Sequence, residues 1–138
     1  MQATSSGRAV AWVLLVLLGL ENVAGYAVDL YQRFWWFDRV LHAATTLAVA
    51  LGLALFVFGK AFRPGHPVLL VLMVASVGVA IGAVWEVAEW GFDQVAPGDV
   101  IKGKYDTMLD VVMDTIGAVI AGLLCLAFLR PPEPGDLP

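Results

Sequence analysis

Apolar residues fall into four long blocks, and the polar residues that interrupt them cluster at particular ends of those blocks. Residues 9–20 are unbroken apolar, and the pattern predicts a first helix over about 9–30, interrupted by Glu21, Asn22 and Asp29. Taken alone, this block resembles the core of a secretory signal peptide with small residues near Ala24. We read it instead as a retained first span. Aromatic and polar residues at 31–37 have the composition of a membrane interface, and a second helix is expected over 35–58. Arg63-Pro64-Gly65-His66-Pro67 punctuates the chain, and a third helix follows over 68–92. The longest loop, 93–104, is broken by Pro97-Gly98, and a fourth helix is expected over 105–129, ended by Pro131-Pro132 and a polar tail at 130–138. At ~1.5 Å of rise per residue, each block is long enough for a hydrocarbon core of ~30 Å. Lipid offers no partner for backbone polar groups, so helices are the expected form. The expected fold class is therefore all-α, an integral membrane bundle of four transmembrane helices forming one polytopic domain over 1–138.

Composition agrees. Sixty per cent of the 138 residues are hydrophobic, only 14% are charged, and mean hydropathy is +0.83. A soluble domain of this length cannot hide that much apolar surface, whereas a lipid bilayer accepts it. A net charge of −4 argues against nucleic acid as a partner. The lone cysteine, Cys125, excludes an intrachain disulfide and a thiolate metal cluster.

Small residues mark close-packing faces: Gly78 and Gly82 on the third helix, and Gly117, Ala118, Ala121 and Gly122 on the fourth. Four alternating spans bring the end of helix 1, the start of helix 2, the end of helix 3 and the start of helix 4 to one membrane face. Every unusual polar residue falls there. Ten acids gather at that face, namely Glu21, Asp29, Asp38, Glu86, Glu89, Asp93, Asp99, Asp106, Asp110 and Asp114. Four permanent bases, Arg33, Arg39, Lys102 and Lys104, stand against them. Ionisable groups at membrane depth mark functional sites by default. Buried carboxylates without a partner either take up protons or gather a cation. Basic residues divide equally between the two faces; we favour both termini in the cytoplasm, because the acids crowd the opposite face.

The candidate site comprises Asp38, His42, Glu86, Glu89, Asp110 and Asp114, supported by Glu21, Arg39 and Asp106. Glu86 and Glu89 share a helix face, as do Asp106, Asp110 and Asp114. An oxygen-rich set with one imidazole suits Mg²⁺, Mn²⁺ or Ca²⁺, with Zn²⁺ a further option. The plainer reading is a hydrogen-bonded polar core that sets helix register, its acids paired with Arg39, Asn22 and Thr107. Trp35, Trp36, Trp85 and Trp90 are most simply interfacial belt residues, with a substrate mouth as the alternative. Ser76 and Thr115 more often bond back to their own helix than act as nucleophiles. His66 is expected on the opposite face from His42, so the two do not form a haem ligand pair.

Three stretches together carry a family resemblance: Phe37-Asp38-Arg39 with His42, then Glu86-Val87-Ala88-Glu89-Trp90, then Tyr105-Asp106-Thr107 with Asp110 and Ile116-Gly117-Ala118. The chain resembles the YjdF-like family of small bacterial inner-membrane proteins over about 37–124. The same order of motifs is similar to the VanZ-like family associated with glycopeptide resistance. Asp114 departs from both patterns. The resemblance implies a multi-pass bacterial inner-membrane protein and supplies no mechanism. Three functions are compatible with the residues. One is a divalent-cation-assisted binding or catalytic site for an envelope or lipid-linked substrate. The second is an accessory subunit of a larger, pigment- or cofactor-bearing membrane complex. The third is a proton- or cation-coupled transporter, for which a homodimer is expected.

Overall fold

The computed structural model describes residues 2–58, 66–95 and 101–130. The turn expected at 60–67 and the Pro97-Gly98 break thus lie largely outside the described residues, as do Asp99, Pro131-Pro132 and the tail beyond them. The chain runs β1 (Gln2–Ala3), α1 (Ser5–Ala27), α2 (Leu30–Arg33), α3 (Phe37–Leu53) with a π-helical turn at Ala54–Phe58, α4 (Pro67–Val95), α5 (Lys104–Phe128) and β2 (Leu129–Arg130). Among the described residues, four helices are long and apolar enough to cross a membrane: α1, α3 with its π turn, α4 and α5. The chain is an all-α bundle of membrane-spanning dimensions.

Local chemistry accounts for the boundaries. Thr4 is extended and its Oγ1 accepts from Gly7 N at 3.0 Å, satisfying a free N–H at the start of α1. Pro67 opens α4, where its missing N–H costs nothing. The first helix stops at Ala27, short of the expected 30, because Asp29 takes a left-handed backbone at φ 61°. Aspartate tolerates that conformation better than most residues. The aromatic stretch then holds the single turn α2, and α3 starts at Phe37.

α5 is the spine. It packs along α3 on one side and α4 on the other, while α1 leans mainly on α3. The small residues make this close approach feasible. A methyl at Gly117 would overlap the Ala43 carbonyl oxygen, and one at Gly122 would lie 2.9 Å from Val71 O. Gly82 faces the Asp114 carboxylate, and Gly78 faces Ala118 and Ala50. Towards the chain ends the core is wholly apolar: Ala50, Leu51, Ala54, Leu55, Leu70, Val74, Ala121 and Cys125 close it. At that end Gln2 pairs with Arg130 and Ala3 with Leu129, so both ends of the described chain meet on one side of the bundle.

This packing generates a test. Gly117→Ala forces α3 away from α5 and is expected to destabilise the protein by ~1–3 kcal/mol, the usual cost of overpacking. Thermal unfolding in detergent checks it; an unchanged midpoint would mean that the α3–α5 contact has room to spare.

Candidate functional site

The end of the bundle opposite the paired chain ends encloses a cavity of about 310 Å³. Three helices supply its chemistry. α3 gives Asp38, His42, Thr45 and Thr46, spaced to share one face. α4 gives Gly82, Trp85, Glu86 and Glu89; α5 gives Asp106, Thr107, Asp110 and Asp114. Tyr31, Gln32, Leu41, Ile81, Ile101 and Lys102 complete its lining.

Asp114 is the deepest acid, at 2% exposure. Thr46 Oγ1 donates to its Oδ1 at 2.6 Å, and His42 Nδ1 stands 3.4 Å from the same oxygen. The side-chain-free Gly82 gives the carboxylate its space. With Nδ1 turned to Asp114, the other ring nitrogen, Nε2, faces Asp38 Oδ1 at 3.9 Å. Nδ1 is also 3.8 Å from Glu86 Oε1. His42 thus sits among three carboxylates, one from each of the three helices. Closer to the mouth, Lys102 Nζ lies 3.4 Å from Asp38 Oδ2, and Arg39 Nη2 donates to Asp106 Oδ1 at 2.9 Å. Arg39 Nη1 donates to the Trp35 carbonyl, and the guanidinium lies over the Trp35 ring at 5.6 Å. Trp85 Nε1 donates to Glu89 Oε1 at 2.8 Å.

Glu86 Oε1 and Asp110 Oδ1 are buried with no hydrogen-bond partner among the described residues. Leaving a buried carboxylate oxygen unpaired is costly, so each calls for a proton, a water or a cation. Two sets of side chains have ligand atoms within 4.8 Å of one another: Asp38, His42 and Asp110, and His42, Glu86 and Glu89. Ligand oxygens and nitrogens lie ~2.0–2.6 Å from Zn²⁺, Mg²⁺ or Ca²⁺, so opposite ligands stand ~4–5.2 Å apart.

Against the sequence expectations, Asp38, His42, Glu86, Glu89, Asp106, Asp110 and Asp114 all line one cavity. Arg39 supports it through Asp106. Glu21 stands apart: it is exposed on α1 and outside the lining, because α1 packs mainly on α3. The Asn22 side chain lies outside the described residues. Thr107 lines the cavity, and Thr115 donates to its own helix at Val111 O, 2.8 Å. Sequence reasoning missed Thr46, although its position one turn beyond His42 on the same face was a usable signal. It also missed the Lys102–Asp38 pair, which no local spacing encodes.

The family model described as "Predicted membrane protein (DUF2238)" matches residues 4–131. The chain belongs to this family. The YjdF-like resemblance fits the same family. A protein of Thermotoga maritima described as uncharacterized is 29% identical over 99 residues, covering 71% of this chain and 52% of that protein. The chain therefore spans about half the length of that relative. No solved structure matches. The family match runs from α1 to the end of α5 and takes in all the cavity's side chains.

The Thr46–Asp114 bond can be tested in isolation. Thr46→Val keeps the shape and removes the donor, leaving a buried carboxylate oxygen short of a partner, at an expected cost of ~1–3 kcal/mol. Thr46→Ser restores the hydroxyl and should recover most of it. Equal unfolding midpoints for the valine and serine variants would show that the bond is not made.

Proposed function

We propose that this protein holds a divalent cation in the cavity and uses it to bind a phosphate-bearing envelope or lipid-linked molecule. Asp38, His42 and Asp110 are its ligands. Asp114, fixed by Thr46, takes the Nδ1–H of His42 and leaves the Nε2 lone pair for the ion. Carboxylate–histidine–metal relays of this kind orient the ring and raise its basicity. The observation that carries the reading is Asp110 Oδ1, buried and without a hydrogen-bond partner beside an imidazole and a second carboxylate. The cation supplies a Lewis-acid contact for a phosphate oxygen. Lys102, 47% exposed at the mouth, supplies a second positive charge.

Trp35, Trp36, Trp85 and Trp90 are all exposed at this end of the bundle, the arrangement of an interfacial belt. A substrate with its headgroup in the cavity and its chain in lipid suits that rim. We place the protein in the bacterial inner membrane, with both termini cytoplasmic and the cavity in the outer-leaflet half. The apolar packing of the other half favours a one-sided site over a path for transported ions. A homodimer or a larger pigment- or cofactor-bearing complex remains compatible with the exposed apolar flank of α1, and the VanZ-like resemblance is consistent with work on an envelope substrate.

Metal analysis of the purified protein, before and after chelation, tests the proposal. A stoichiometric divalent ion is expected, with affinity falling on the order of 10–100-fold in Asp110→Asn and in Asp114→Asn. Protein that neither retains nor rebinds a divalent ion would remove the reading. Cation flux through proteoliposomes that responds to Glu86→Gln would instead favour transport.

A further inference from the structure

The cavity carries more acid than one ion neutralises. Asp38, Glu86, Glu89, Asp106, Asp110 and Asp114 line it, against the cations of Arg39 and Lys102 paired there. With every carboxylate ionised and His42 neutral, four negative charges remain, twice what a single divalent cation offsets.

Geometry divides the surplus. The two ligand sets share only His42. One joins α3 to α5 through Asp38 and Asp110; the other joins α3 to α4 through Glu86 and Glu89. They meet different edges of the ring, Asp38 at Nε2 and Glu86 at Nδ1. Each contains its own buried carboxylate oxygen without a hydrogen-bond partner, Asp110 Oδ1 in the first and Glu86 Oε1 in the second. Asp110 is 4% exposed and Glu86 7%, so neither oxygen is satisfied by bulk water. An ion bound by Asp38, His42 and Asp110 removes the first orphan and leaves the second. Glu89 is already aimed: Trp85 holds its Oε1, leaving the other oxygen for a ligand.

We infer that the cavity binds two divalent cations, the second held by Glu86 and Glu89 beside the first. This rests on the single-cation reading above and extends it. A neutral imidazole whose Nδ1–H is given to Asp114 has one lone pair to offer, so His42 serves the first ion. The second is held by carboxylates, which suits Mg²⁺ or Mn²⁺ better than Zn²⁺. Paired ions ~3.5–4 Å apart clamp the oxygens of a phosphate group. The ligand class is therefore a phosphate ester or diester bridging both ions.

Mn²⁺ alone is the probe. Metal-stripped protein in detergent is titrated with Mn²⁺, bound metal per chain is counted, and the electron paramagnetic resonance spectrum is recorded. Two ions per chain with a spin-coupled spectrum are expected for the wild type. The Glu86→Gln/Glu89→Gln variant should bind one, with the six-line signal of an isolated ion. One ion in the wild type overturns this inference and leaves the single-cation reading standing; none overturns both. Two coupled ions persisting in the double variant would overturn the assignment to Glu86 and Glu89. If that variant does not fold, Glu89→Gln alone, at a half-buried position, should weaken the second binding step on the order of 10–100-fold and leave the first unchanged. Equal weakening of both steps would overturn the division into two sites.

Discussion

A carboxylate inside a hydrocarbon slab must find its partners within the protein, and the architecture follows from that demand. Asp114 is met by Thr46, by His42 and by the space that Gly82 leaves. Those residues belong to three helices, so satisfying one acid fixes the relative height and rotation of α3, α4 and α5. The hydrophobic effect does not supply this register, because lipid is as apolar as the helix surfaces. Close packing of small residues and a polar pin at the seam supply it together. Buried polar groups elsewhere have been found to select one arrangement at a cost in stability.

The fold was largely legible because bilayer thickness dictates block length. The four apolar blocks became the four long helices with shifts of a few residues at their ends. Where the boundaries moved, backbone conformation was responsible: nothing in hydropathy announces that Asp29 will turn left-handed or that α2 will form a separate turn. The site was legible as far as helix polarity carries. Asp38, His42, Glu86 and Asp110 had to lie near one face once the spans alternated. Which neighbour each helix packs against is a tertiary property, and it decided against Glu21. Thr46 was hidden by its ordinariness, since a threonine in an apolar helix most often bonds to its own backbone.

The chemistry available at the seam is graded from the mouth inwards. Lys102 and Arg39 neutralise the outer acids, Asp38 and Asp106. His42 and Thr46 serve the innermost, Asp114. Between them Glu86 and Asp110 each keep an oxygen unserved. That gradient separates a fully partnered floor from a middle layer whose carboxylates are not, which a uniform polar core would not require.

The apolar packing at the other end has a kinetic meaning. Leu51, Leu70, Val74 and Cys125 fill the bundle beyond Asp114 almost without exposure. The cavity is thus a cul-de-sac. Whatever enters past Tyr31, Trp85 and Lys102 leaves by the same door, in reverse order of arrival. Exchange at such a place is limited by how readily the mouth clears.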